Sequence, residues 1–117
     1  MLINENNKGC VLDNFKLINR DEIIDFINEH NGLLELIEKS YPLVRKYFPN
    51  YSLSLEYYED PESYGLDRII LYIYGNFNLF KKDFYTLNKL LESDIDKLNI
   101  ANPESKILFS LDLMYPF

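Results

Sequence analysis

The sequence predicts a single α+β domain: two N-terminal helices, then a β-hairpin, a helix and a final strand, with helices on one face of a three-stranded, mainly antiparallel sheet of order 2-1-3. Three observations carry this expectation. The 117 residues are 47% apolar and 15% aromatic, enough for one core but not for two. Three segments place apolar side chains three or four positions apart, as a helix face requires, and three others alternate in steps of two, as a half-buried strand does. Gly, Pro and Asn punctuate the joins.

The elements follow in order. After Leu2 and Ile3, a polar stretch and a mixed segment without period occupy residues 1–18, which predicts an N-terminal arm or edge strand ahead of a folded domain over 19–117. Asn19-Arg20-Asp21-Glu22 has the form of a capping box, with Ile23, Phe26 and Ile27 as the apolar stripe of the helix it opens. Asn31-Gly32 supplies a left-handed stop. Leu33, Leu36, Ile37, Tyr41, Val44, Tyr47 and Phe48 form the face of a second helix. Pro42 inside it removes a backbone donor, so a kink or a division into two shorter helices is expected there.

Alternation then sets in. Tyr51, Leu53, Leu55 and Tyr57 oppose Ser52, Ser54, Glu56 and Tyr58, which predicts a strand. The charged, turn-forming residues 59–65 make the hairpin loop. In the second strand Ile69, Leu71 and Ile73 oppose Ile70, Tyr72 and Tyr74, and Gly75-Asn76 breaks the pattern. Asn78 caps a third helix striped by Phe80, Phe84, Leu87, Leu91, Ile95 and Leu98. Residues 106–115 alternate again as the last strand. A helical crossover makes the last strand parallel to the second. Setting it beside the first strand keeps every neighbour antiparallel and leaves room for the crossover, hence order 2-1-3. Order 1-2-3, with one parallel pair, is the alternative.

Residues 36–48, with Pro42-Leu43-Val44-Arg45-Lys46-Tyr47-Phe48, and the later Asp60-Pro61-Glu62 resemble a set of small uncharacterised prokaryotic proteins. In that set a helix of the form P-x-hydrophobic-R-x-aromatic-F precedes a strand, a D-P-E loop, a strand, a helix and a final strand. The resemblance spans roughly residues 33–115; it implies the same element order and adds nothing about function. This chain departs from the set in lacking an acidic-Trp-Trp ending to the third helix, since it has no tryptophan. Its abundance of Asn, Ile, Lys and Tyr also resembles the proteins of AT-rich prokaryotic or phage genomes.

Charge and composition exclude several function classes. Twelve basic against 19 acidic side chains give a net charge of -7, which repels a phosphate backbone, so nucleic acid is not an expected partner. No run approaches a membrane span, and polar residues stand where a signal peptide needs apolar ones, so the expectation is a cytoplasmic protein with no membrane partner. A lone Cys10 and a lone His30 supply neither a disulfide nor zinc spacing, and a Cys-His nucleophile would have to join the arm to a helix end. Gly9, Gly32, Gly65 and Gly75 are too scattered to cradle phosphate, and no cofactor is expected.

Two carboxylate clusters remain: Glu59, Asp60, Glu62 and Asp67 around the hairpin loop, and Glu92, Asp94 and Asp96 in the third helix. The loop lacks calcium-loop spacing, and Asp94 and Asp96 diverge around the helix. Ordinary solvated faces account for both.

The feature singled out is the second face of the sheet. If helices cover the side bearing Leu53, Leu55, Ile69, Leu71, Ile73, Phe109 and Leu111, the other side shows Tyr58, Ile70, Tyr72, Tyr74, Leu108 and Met114 among small and acidic residues. That mixture suits an interface centre. The competing expectation is that the arm or the first helix folds over it. Beside it, Glu59, Asp60 and Glu62 surround Tyr64 as a dock for a basic partner.

The function expected is therefore a small acidic protein-binding module, an inhibitor, immunity or antitoxin-like partner of a basic protein, with self-dimerisation through the sheet face as a variant of it. The alternative is a small enzyme or metal-binding protein with a carboxylate site that has no recognisable motif, for which a thermal shift with a divalent ion would speak.

Overall fold

Two helices meet at a glycine that only the absence of a side chain permits. The computed structural model describes residues 10–59, 61–62, 67–75 and 81–114. Helix α1, Arg20–Glu29, buries Ile23, Phe26 and Ile27, and α2, Leu33–Tyr47, buries Leu33, Leu36, Ile37, Ser40 and Val44. Between them Gly32 has φ +94°, and a Cβ there would stand 2.7 Å from the Cβ of Asn102. The left-handed turn expected at this position is present.

α2 runs through Pro42 as one helix, not as two pieces. Proline deprives the carbonyl four residues earlier of its donor, here that of Glu38. Both Pro42 and Glu38 are exposed, so water can serve that carbonyl at little cost. Arg45 then closes the helix end. Its Nη1 donates to the Tyr51 carbonyl at 2.6 Å, and its Nε donates to the Tyr41 hydroxyl at 3.2 Å.

Among the described residues the sheet has four strands: β1, Lys16–Leu17; β2, Ser52–Tyr58; β3, Arg68–Tyr74; and β4, Phe109–Met114. Helix α3, Lys81–Asp96, and a 3-10 helix, Pro103–Leu108, lie between β3 and β4. Strand order is β1-β2-β3-β4. The hairpin pairs Leu55 with Leu71, β4 runs parallel to β3 with Leu111 beside Leu71, and β1 runs parallel to β2 with Leu17 beside Leu55.

This corrects the expected three-stranded antiparallel sheet of order 2-1-3. The sheet is mixed, the hairpin and the last strand take order 1-2-3, and the arm adds a fourth strand. Two physical reasons are visible. The outer side of β2, where order 2-1-3 would seat the last strand, is occupied by β1. The most apolar strand, β3, which buries Ile69, Ile70, Leu71 and Ile73, thereby gains partners on both sides, whereas β2, with Ser52, Ser54 and Glu56 on one face, tolerates a two-residue neighbour.

The last strand is also shorter than its alternation suggests. Residues 103–108 form a 3-10 helix opened by Pro103, and Lys106 reaches back to donate to the carbonyls of Asp96 and Leu98 at 2.6 and 2.9 Å. Tertiary capping overrides a two-residue period that only local sequence supports. The cap expected at Asn78 and the first apolar positions of the third helix lie outside the described residues or side chains.

All three α-helices bury their stripes in one cluster with Leu53, Leu55, Ile69, Leu71, Ile73 and Phe109. The core is therefore on one side of the sheet. Leu12 and Phe15 of the arm join that same cluster.

Candidate functional site

Strand parity assigns the other side. In register, Tyr74 stands opposite Ser52, Tyr72 opposite Ser54, Ile70 opposite Glu56 and Arg68 opposite Tyr58. On β4, Ser110 and Asp112 continue this face beside Ile70 and Tyr72. Tyr58, Ile70, Tyr72 and Tyr74 are thus brought together as expected. Met114 lies beside Tyr74 in the register, and its side chain is outside those described.

Neither α1 nor the described part of the arm crosses this face. α1 packs on the core side, where the Phe26 ring lies 5.1 Å from that of Tyr57. Residues 11–14 make a 3-10 turn, and residues 16–17 then run along the edge of β2. Among the described residues, no helix packs over the tyrosines.

Two expectations about this surface need correction. Ile70 is only 7% exposed and Ser54 4%, so the face is closed at its centre; Tyr58 is 37% exposed, Ser52 and Asp112 are exposed, and Tyr72 and Tyr74 are half-buried. Leu108 belongs to the 3-10 helix and packs against the core cluster instead.

Polar contacts fix the rims. The Tyr72 hydroxyl donates to Glu56 Oε1 at 2.7 Å, and the Tyr72 and Tyr74 rings lie 6.2 Å apart. Burial, and then the hydrogen bond to the Glu56 carboxylate, raise the pKa of Tyr72 well above the usual tyrosine value. The Arg68 guanidinium sits 5.1 Å from the Tyr58 ring centroid, a cation–π contact. Its Nε is buried and has no hydrogen-bond partner among the described residues.

Arg68 was missed as a member of this face, although its parity with Ile70 places it there. The face carries charge of both signs. At its β1 end a depression of about 670 Å³ is lined by Lys16, Ile18, Arg45, Ser52, Ser54 and Tyr74. Beyond Tyr58 in the hairpin loop, Glu59 and Glu62 are exposed. Asp60 and Tyr64 lie outside the described residues.

Of the remaining candidate carboxylates, Asp67 and Asp94 tie one element to another, while Glu92 bonds within α3. Asp67 accepts the Tyr57 hydroxyl at 2.7 Å, and that bond is the first cause pushing the Tyr57 pKa up to about 12. Asp94 accepts the Tyr47 hydroxyl, joining α3 to α2 and raising the pKa of Tyr47. Glu92 accepts from Asn88 at 3.2 Å.

Among the described residues no three His, Cys, Asp or Glu side chains form a group that could hold a metal ion. His30 lies with its ring 4.3 Å from that of Phe26, and Cys10 packs against the core. No helix among the described residues is long and apolar enough to cross a membrane. What the site offers chemically is aromatic contact area, phenolic hydrogen bonding and separated charge, which are the means of recognition.

Searches against protein-family models, curated proteins and solved structures gave no match.

Proposed function

We propose that the chain is a small acidic protein-binding module whose partner is another protein with a basic surface, in the manner of an inhibitor, immunity protein or antitoxin. The observation that carries this reading is the face of Tyr58, Tyr72 and Tyr74, over which no described helix packs, with the exposed carboxylates Glu59 and Glu62 beside it. Rigid aromatic rims give contact area at low entropy cost, and acidic neighbours steer a basic partner. The net charge of -7 favours the same class of partner.

The test is capture on the immobilised chain, in parallel with a Glu59→Lys, Asp60→Lys, Glu62→Lys variant of equal thermal stability. A basic protein held by the wild-type chain, purified and titrated back, is expected to lose most of its affinity for the variant and to bind more weakly as salt rises. Equal affinity for both chains would count against the acidic dock.

A further inference from the structure

β4 ends the sheet, and among the described residues no strand pairs with its outer side. Its six residues keep unbroken register with β3, from Phe109 beside Ile69 to Met114 beside Tyr74. Half of its backbone N–H and C=O groups therefore point away from the sheet. Edge strands are commonly blunted by charged side chains, lysine above all, by proline or by a bulge; Phe-Ser-Leu-Asp-Leu-Met carries one charge, Asp112 on the tyrosine face, and neither lysine nor proline.

A groove of about 350 Å³ adjoins this edge. Glu92, Ile95 and Asp96 of α3 form one wall, while Phe109, Ser110 and Leu111 form the other. The helical layer stops short here. Leu111 and Leu113 face the core side yet are only half-buried, whereas their register partners Leu71 and Ile73 are fully buried. Lys106, which also lines the groove, has its ammonium engaged by the Asp96 and Leu98 carbonyls. The carboxylates of the wall, Glu92 and Asp96, are exposed.

We propose that the β4 edge accepts an extended basic peptide segment of a partner protein as a fifth strand. The backbone of the segment pairs with residues 109–114, and alternate side chains enter the groove. Apolar ones meet Ile95 and Leu111, and lysine or arginine meets Glu92 and Asp96. Main-chain pairing supplies affinity in this mode and alternate pockets supply selectivity. β4 carries Ser110 and Asp112 of the tyrosine face, but the groove walls Ile95, Phe109 and Leu111 lie on the core side of the sheet, opposite Tyr58 and Tyr72, so each surface can fail without the other.

The probe is a capped peptide of about seven residues, lysine-threonine-valine-threonine-lysine-threonine-valine, so that lysine and valine share the groove side, matched to the strand length, titrated into the full chain and followed by amide-resolved NMR. Saturable shifts confined to residues 92–96 and 106–114 are expected. Methylating alternate peptide nitrogens removes donors while keeping every side chain, and should weaken binding at least about tenfold. Glu92→Lys with Asp96→Lys, both at exposed positions, should weaken it similarly. Binding indifferent to N-methylation, or shifts centred on Tyr58 and Tyr72, would overturn the proposal. So would sedimentation showing a dimer of the chain alone in which amides 109–114 are protected, because the edge would then belong to a second copy. The N-methylated peptide tests the wild-type chain, so a variant that fails to fold does not remove the test.

Discussion

The side-chain amide of Asn19 meets the backbone of Tyr57 with both of its polar atoms: Nδ2 donates to the Tyr57 carbonyl at 2.9 Å, and Oδ1 accepts the Tyr57 N–H at 2.8 Å. β1 pairs Lys16 with Ser54 and Leu17 with Leu55, and the Ile18 N–H still donates to the Leu55 carbonyl. Continued by two residues, this register places position 19 beside position 57. The amide thus takes the place of a strand backbone where the chain has already turned into α1, and it satisfies a half-buried edge peptide.

Asn19→Ala should therefore lower stability by about 1–3 kcal/mol, the range for a partly buried polar group left unpaired. Asn19→Asp separates this role from helix capping. The capping box expected from Asn19 and Glu22 is not formed by the Asn19 side chain, which makes no cap hydrogen bond. If capping were its role, aspartate would serve as well as asparagine. Because the donor to the Tyr57 carbonyl is needed, both variants should unfold at lower urea concentration. An Asp variant as stable as the wild type would sink the strand-mimic role.

Why that contact was illegible in the sequence also explains what else was. Helical stripes such as Ile23, Phe26 and Ile27, and the alternation of Leu53 with Ser54, are local and could be read directly. Strand order is not local. It depends on which edge of β2 is free, and a two-residue strand such as Lys16–Leu17 has no period to announce it. For the candidate site, parity gathered Tyr58, Tyr72 and Tyr74 but could not show that Ile70 is buried or that Arg68 caps Tyr58. The tyrosine–carboxylate ties span 47, 10 and 16 positions, so no spacing rule reaches them all.

Gly32 should resist replacement through its backbone conformation as well as its surroundings. At φ +94° any other residue is strained, and even a methyl would press on Asn102, whose own Nδ2 is held by the Asn31 carbonyl at 2.7 Å. Gly32→Ala should cost at least about 1 kcal/mol. Chemical denaturation checks this, and a neutral result would mean that the turn relaxes to another conformation.

Alkaline pH should loosen the fold through Tyr57. Its pKa is raised in the folded state, from the usual 10.0 to about 12, by the hydrogen bond to Asp67 and by burial. A raised folded value means that folding holds the proton. The contribution to stability is complete below about pH 10 and is lost as pH climbs through about 12. Phenolate absorbance of the wild type should show a step near pH 12 that Tyr57→Phe lacks. Tyr57→Phe should be less stable at neutral pH, with a flatter stability profile between pH 10 and 12. A profile as steep as the wild type's would exclude the Tyr57–Asp67 pair as its source.

The tyrosine rims should matter for binding more than for folding. Tyr58 is 37% exposed and its ring meets the Arg68 guanidinium, so truncation sacrifices a cation–π contact of about 0.5–1 kcal/mol. Tyr74 has no part in the core cluster. A Tyr58→Ala, Tyr74→Ala chain should accordingly keep its fold, with a modest drop in Tm. If these rings anchor the basic partner, losing them removes about 2 kcal/mol or more of affinity, roughly a thirtyfold rise in Kd. Calorimetric titration of that partner against both chains separates the two effects. A variant that binds as tightly as the wild type would assign recognition elsewhere, and the acidic loop and the β4 edge would have to account for it separately.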